Sequence, residues 1–188
     1  LETERMNELI GQLLRLAQLE DHADGGESAA MEPVQMEDLI DEVAADADFE
    51  ANSQNRGVTV LETQPCVVTG SAELLRSAIE NIVRNAVRYT GEETQVEIGL
   101  DRASREDRLY AHITVRDHGP GVPEKALQEL IRPFYRVGDA RDRQSGGTGL
   151  GLAIADRIVR LHGGILTAAN ASGGGLQVEV HLPLEQEV

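Results

Sequence analysis

Hydrophobic positions at the start of the chain recur on a helical beat. Met6, Leu9, Ile10, Leu13, Leu16 and Ala17 fall at three- and four-residue spacing, which draws one apolar stripe along an amphipathic helix. A lone helix of that length buries little, so the stripe wants a partner. "DHADGGESAAMEP" is polar, glycine-bearing and unpatterned, and reads as a linker. "QMEDLIDEVAADADFEANSQNRG" regains helical spacing and ends near Gly57. The short runs "VTVLE" and "CVVTG" are β-rich. Ser71 is placed to cap the helix "AELLRSAIENIVRNAVRYT". Strand alternation returns in "TQVEIGL" and "LYAHITVRD", split by the charged turn "ASREDR". "PEKALQELI" predicts a short helix with Pro123 at its start. A helix from about Leu150 to His162 is followed by strands in "GILTAAN" and "LQVEVHLPL".

Strands thus arrive partly as hairpins and partly separated by helices. That order predicts an α+β fold, two layers with helices on one face of a mixed sheet, preceded by one amphipathic helix. The expected division is a helix over residues 1–20, a linker over 21–32 and a main domain over 33–188.

Composition narrows the picture. The chain has 188 residues, 40% of them hydrophobic, which suits one domain of ordinary size with an appendage. Its net charge is −16 and its only lysine is Lys125, so a nucleic-acid partner is not expected. The single Cys66 rules out an internal disulfide and a Cys-rich zinc site. No apolar run approaches the roughly 18 residues of a membrane span, so this stretch is not expected to lie in a membrane. The chain begins mid-pattern without Met, and the expectation is a piece of something longer.

The candidate chemistry starts at "SGGTGLGL", which holds Gly146, Gly147, Gly149 and Gly151 just ahead of the helical run "LAIADRIVRLHGG". Glycines let a backbone approach closely, and a helix start offers unpaired N–H groups to an anion. A P-loop would need a lysine here, and Lys125 is far away in sequence. A dinucleotide fingerprint would need a strand directly before the glycines, where a polar Arg/Asp-rich segment stands instead. Three further stretches bear on the choice. In "ENIVRNAVRY", Asn81, Asn85 and Arg88 share a helix face within roughly 60° of each other, and amide oxygens are suitable ligands for Mg²⁺. In "DHGPGV", Asp117 ends a strand before Gly119 and Gly121 turn the chain. A carboxylate so fixed can accept a hydrogen bond from an exocyclic amine, or it can simply make a turn. In "RPFYRVGDARDR", Pro133, Phe134 and Tyr135 precede a polar segment, as the base of a lid or as a core plug. The segment over residues 137–146 has little to bury and is expected to be that lid.

Taken in order, these stretches resemble one family. "ENIVRNAVRY" resembles the N box, "DHGPG" the G1 box, "RPFYR" the F box and "GGTGLGL" the G2 box of sensor histidine kinases, over about residues 33 to 184. Residues 1–20 resemble the second helix of the dimerisation and phosphotransfer hairpin, and details of the N, F and G2 boxes resemble the Cpx-type envelope-stress kinases. The resemblance implies a Bergerat-type sandwich that binds ATP and Mg²⁺. It implies Asn85 as the metal ligand and Asn81, Arg88 and Arg136 near the reacting phosphate. It places Tyr89, Asp117, Gly119, Gly121, Phe134, Gly147, Thr148, Gly149, Leu150 and Gly151 around the nucleotide. It also implies a homodimer through the hairpin, a response-regulator partner, and a cytoplasmic place beneath an inner-membrane sensor.

One feature departs from the pattern. The phospho-accepting histidine of such kinases sits in an H box, and none of His22, His112, His118, His162 or His181 has that context. The acceptor is therefore expected on a helix ahead of Leu1. Two other readings stay open: a partner-binding switch of the same fold, such as an anti-sigma-type serine kinase, and a clamp ATPase. The latter needs a glutamate one turn before the metal asparagine, where this chain has Asn81, with Glu80 about 100° round the helix.

Overall fold

Helical periodicity resolves into three inward-facing stripes. Helix α1 (Met36–Asn52) buries Met36, Leu39, Ile40, Val43 and Ala44. Helix α2 (Ala72–Tyr89) buries Leu75, Ala78, Ile79, Ile82, Val83, Ala86 and Val87, and Ser71 caps it by accepting the Leu74 N–H at 3.4 Å. Helix α3 (Gly151–Leu161) buries Leu152, Ile154, Ala155, Ile158 and Val159. The structure is a computed structural model that describes residues 10–14, 19, 30–105, 107–137 and 147–185.

The strands are β1 (Glu32–Gln35), β2 (Gly57–Thr63), β3 (Val67–Gly70), β4 (Gln95–Arg105), β5 (Arg108–Arg116), β6 (Ile165–Asn170) and β7 (Leu176–Pro183). Five of them form one mixed sheet in the order β2-β4-β5-β7-β6, with β2 parallel to β4 and the remaining pairs antiparallel. Val96, Ile98 and Leu100 of β4, Ala111, Ile113 and Val115 of β5, and Val178, Val180 and Leu182 of β7 are buried and join the helices in one apolar cluster. Side chains alternate across a strand, so the intervening residues, Asp101, His112, Thr114 and Glu179 among them, lie on the face turned from the helices. The expected two-layer α+β arrangement is the one observed.

Local structure differs from the sequence expectation in three places. The turn expected over "ASREDR" is shorter, because Ala103, Ser104 and Arg105 stay paired with Tyr110, Leu109 and Arg108. Asp107, at φ 62, makes the bend, a left-handed conformation that Asp tolerates better than most residues. "PEKALQELI" forms a 3-10 helix, Glu124–Glu129, with Ala126 N–H bonded to Pro123 O at 2.7 Å. Only Ala126 is buried in it, so no apolar stripe holds a regular α-helix there. Strand β1 was not expected. It pairs antiparallel with β3, and Glu32, the last residue of the expected linker, begins it.

The first segment is helical at residues 10–14. The stripe residues Ile10 and Leu13 stay exposed, whereas Leu19 is 4% exposed and joins the core. The rest of that expected helix, and linker residues 21–29 with His22, lie outside the described residues.

A buried histidine ties α3 to the start of α2. His162 Nδ1 donates to Ile158 O at 2.7 Å, and Nε2 accepts the Ser71 N–H at 3.1 Å. Gly70 leaves room for the ring, which a Cβ at that position would strike. Burial pushes the imidazole below its ordinary value of 6.5, so the neutral form is the folded one. A proton on Nε2 would abolish the bond to Ser71. The folded value is depressed, so this contribution is complete above pH 6.5 and is lost as pH falls below it. Urea denaturation should therefore give lower stability at pH 5.5 than at pH 7.5. His162→Ala should cost about 2–3 kcal/mol at the higher pH and flatten the slope. Part of the slope should remain, because burial depresses His181 in the same direction.

Candidate functional site

One face of α2, the loop after β5 and the glycine-rich segment before α3 enclose a cavity of about 400 Å³. Asn81, Asn85, Arg88 and Tyr89 line it from α2, as their shared helix face requires. Asp117 and Gly121 line it from the loop after β5, and Arg136, Gly147, Thr148, Gly149 and Gly151 from the segment leading into α3. Eleven of the fourteen candidate positions thus meet in one place. Gly119, Phe134 and Leu150 are not on its wall. Leu150 is fully buried beneath it.

Asp117 is 3% exposed. Its Oδ1 accepts the Gly119 N–H at 2.8 Å and the Leu176 N–H at 3.1 Å, and no hydrogen bond from the described residues reaches Oδ2. Its own N–H donates to Leu176 O at 3.0 Å, which locks the end of β5 to the start of β7. The Asp–Gly turn and the carboxylate aimed into the cavity are therefore the same structure. Burial pushes the carboxyl above its ordinary value, and the two backbone donors hold the rise in check. Two glycines make the arrangement possible. A Cβ on Gly119 would strike the Tyr89 carbonyl, and one on Gly175, at φ +88, would strike the carbonyl of Asp117.

The glycine-rich segment is held from two sides. Gly149 has φ +74 and its carbonyl accepts the Phe134 N–H at 2.9 Å. Phe134 itself has φ 64 and its ring is 56% exposed, so it anchors the segment through its backbone and not as a wall of the cavity. Gly147 packs against the Arg88 guanidinium with no space for a Cβ. Helix α3 begins with no side-chain cap, which leaves its first N–H groups open to a ligand. The expected lid over residues 137–146 lies outside the described residues from 138 onward.

Electrostatics single out the wall. The chain carries −16 overall, yet the lining holds Arg84, Arg88 and Arg136 against one carboxylate, Asp117. The rest is largely apolar and includes Leu176, Val122, Leu130 and Leu152. Asn81 turns its amide nitrogen to Ser77 O at 2.7 Å, and its Oδ1 faces Gly151. No hydrogen bond from the described residues engages the Asn85 amide.

Sequence reasoning missed several participants. Arg84 sits three residues after Asn81, so the helical spacing that found its neighbours could have found it. Asn170 was not legible, because its role is long-range. Its Oδ1 accepts the Val122 N–H at 2.9 Å and its Nδ2 donates to Val122 O at 2.8 Å, which clamps the loop after Asp117 onto β6. Thr90, 2% exposed, accepts the His118 N–H at 3.1 Å and joins the end of α2 to the same loop. Gln12 also reaches the wall, where Thr148 Oγ1 donates to its Oε1 at 2.6 Å.

Residues 70–186 match the pattern of the family described as histidine kinase-, DNA gyrase B-, and HSP90-like ATPase. The chain belongs to that family. Within this ATPase family it is an ATP-binding catalytic domain of the histidine-kinase kind. It is 38% identical over 184 residues to the sensor histidine kinase CpxA of Escherichia coli K12, an alignment covering 97% of this chain and 38% of that protein. It is 32% identical over 188 residues to the sensor histidine kinase WalK of Bacillus subtilis, covering 99% of this chain and 30% of that one. The chain thus spans 38% and 30% of the length of these two relatives. Among solved structures it is similar to the mycobacterial sensor histidine kinase MprB, with a TM-score of 0.70 at 25% identity over 84% of this chain and 99% of that chain. It is also similar to the ATP binding domain of PrrB from Mycobacterium tuberculosis, with a TM-score of 0.63 at 28% identity over 84% and 99% of the two chains.

The glycine that makes room for Asp117 in this ATPase domain gives a clean test. Gly175→Ala meets both a positive φ and the Asp117 carbonyl, and should cost roughly 3 kcal/mol or more. Gly173→Ala shares the strain at φ +90 but meets nothing nearer than 3.9 Å, and should cost only about 1–2 kcal/mol. Urea denaturation of the two variants reads the difference.

Proposed function

We propose that this chain binds ATP with Mg²⁺ and presents the γ-phosphate to a histidine on a phosphotransfer hairpin of its own protein, for onward transfer to an aspartate of a response regulator. The observation that carries the reading is the sign of the cavity wall, three arginines to one carboxylate in a strongly acidic chain.

Each residue has a role in this reading. Asp117 accepts the exocyclic amine of adenine on Oδ2, while Leu176 and Val122 cover the base and exclude water. The carboxylate stays oriented because both of its backbone donors hold Oδ1. Gly147, Thr148, Gly149 and Gly151 bring backbone N–H groups and the start of α3 to the phosphates. Arg88 and Arg136 offset charge on the γ-phosphate, and Arg84 adds to the field. Tyr89 flanks the nucleotide, and Phe134 holds the glycine-rich segment through Gly149.

The donor set fits Mg²⁺ only together with phosphates. Asn85 offers one uncommitted amide oxygen, and Asp117 is the lone carboxylate among the lining residues. Such a set suits an ion that keeps most of its waters. When bound, Mg²⁺ supplies charge neutralisation between phosphate oxygens. The domain itself does little covalent chemistry and works by positioning. Glu80 accepts Arg76 Nε at 2.9 Å and does not line the cavity, and no glutamate is among the described lining residues, so none of these stands ready as the base for the hydrolysis a clamp ATPase performs. The segment at residues 10–14 would continue from the hairpin, and the cytoplasmic side of an inner-membrane sensor is the setting this reading implies.

Asp117→Asn separates binding from folding. An amide oxygen can still accept from Gly119 and Leu176, and a buried charge disappears. Thermal melting should leave the apo fold as stable or more stable, whereas calorimetry should show ATP affinity falling by about 1.5–3 kcal/mol. Asn85→Ala should weaken ATP in the presence of Mg²⁺ far more than in EDTA. Wild-type affinity in both variants would remove the assignment.

The acceptor makes a second test. Incubated alone with γ-³²P-ATP, the chain should take no stable label, because none of its histidines has an H-box setting. A separate hairpin fragment bearing the H box should acquire acid-labile label when it is added. Self-labelling of this chain on one of its own histidines would sink the proposal.

A further inference from the structure

The face of the sheet turned away from the helices carries a cluster that the nucleotide site does not use. Asp101 of β4 stands directly opposite His112 of β5, and His112 directly opposite His181 of β7. Glu179 lies two residues before His181 and so on the same face. The two imidazoles stack with centroids 4.4 Å apart and an interplanar angle of 21°, and Tyr110 meets His181 edge-on at 6.2 Å. His181 is 8% exposed. Its Nδ1 and the Nε2 of His112 are buried and find no hydrogen-bond partner among the described residues. Two orphaned imidazole nitrogens side by side on neighbouring strands are an unusual thing for a sheet to retain, since each loses its hydration without replacement.

We propose that His112, His181 and Glu179 bind a divalent first-row transition ion, with zinc as the representative, on this face of the sheet. One ligand atom from each of the three lies within 4.8 Å of the others. Tetrahedral zinc with bonds of ~2.0–2.1 Å places its ligand atoms ~3.3 Å apart, and His112 Nε2 already stands 3.5 Å from Glu179 Oε2. Rotation of the stacked rings about their side-chain torsions would bring the remaining ligand atom into the set. Asp101 Oδ1 lies 3.3 Å from His112 Nδ1, the carboxylate–histidine arrangement that fixes a ligand's tautomer and frees Nε2 for a metal. Gln177 Nε2 donates to Glu179 Oε1 at 2.8 Å and leaves Oε2 toward His112. Two carboxylates, those of Asp101 and Glu179, thus stand 3.3 and 3.5 Å from the two nitrogens of His112. Two imidazoles and one carboxylate are a donor set that selects zinc and its neighbours over Mg²⁺ and leaves one coordination position for water or a further ligand. Bound there, the ion would staple β5 to β7, the two strands whose ends hold Asp117.

The test uses the whole chain, untagged, stripped with chelator and free of nucleotide. Calorimetric titration with Zn²⁺ at pH 7.5 should show one site of micromolar affinity or tighter. Co²⁺ should give visible absorption bands that Zn²⁺ bleaches. His112→Gln, His181→Gln and Glu179→Gln should each weaken zinc at least tenfold, and Asp101→Asn about tenfold through the orientation of His112. His118→Gln, which alters the imidazole that pairs with Glu97 from the loop after β5, should leave zinc affinity unchanged, and so should Asn85→Ala. In the wild-type chain, imidazole ¹⁵N resonances of His112 and His181 should move on adding zinc while those of His162 stay, a readout that needs no variant to fold. Absence of zinc binding would overturn the site, as would affinity that survives in the His112→Gln/His181→Gln double variant. ATP binding that persists in that double variant would show that its fold is intact and that the two sites are separate.

Discussion

The cavity depends on one oxygen atom. Asp117 Oδ1 receives both the Gly119 and the Leu176 N–H groups, and those bonds decide where β5 ends, how the loop turns and where β7 begins. A buried carboxylate is expensive unless its lone pairs are engaged. Here Oδ1 is spent on architecture, while no hydrogen bond from the described residues reaches Oδ2 of this cavity-lining side chain. The arrangement leaves no room for side chains around it. Gly119 and Gly175 are the consequence, and the Asn170 and Thr90 clamps hold the loop against them from either side. Burial pushes the carboxyl up, and the two backbone donors hold it partly down.

The opposite end of the site is built on different physics. Asn81, Arg84, Asn85 and Arg88 owe their alignment to helical spacing alone, and the Val87 and Arg88 carbonyls that close that helix are capped by Arg56 Nη1 at 2.9 and 3.2 Å. Gly147 lies flat on the Arg88 guanidinium. A rigid helix face thus meets a glycine-rich segment whose conformation depends on two residues at positive φ, Phe134 and Gly149. A fixed carboxylate and a positively charged wall thus meet in one cavity.

What the sequence made legible follows the range of the interactions. The N-terminal cap at Ser71, the apolar stripes and the common face of Asn81, Asn85 and Arg88 all rest on neighbours within a few residues, and all were readable. Arg84 had the same spacing and was readable in principle. Asn170, Thr90 and Leu176 act on a loop far away in sequence, and nothing in their own surroundings marks them. Strand β1 is four residues long and exists because it pairs with β3 across α1. The continuation of β4 through Ala103, Ser104 and Arg105 was hidden by its polarity, since charged residues there sit on the solvated edge of a hairpin and still keep the ladder. Phe134 was expected around the nucleotide, and its backbone holds Gly149 while its side chain does not line the cavity.

The bond between Thr148 and Gln12 ties the first helical segment to the cavity wall. Thr148 belongs to the glycine-rich wall, and Gln12 belongs to a segment whose Ile10 and Leu13 look outward, ready for another surface. If a ligand on that wall displaces Gln12, thermodynamic reciprocity requires that whatever draws the segment away must tighten the ligand by the same factor. A few ångströms of side-chain contact would then suffice to convert a mechanical pull on the helix into a change of occupancy in the cavity.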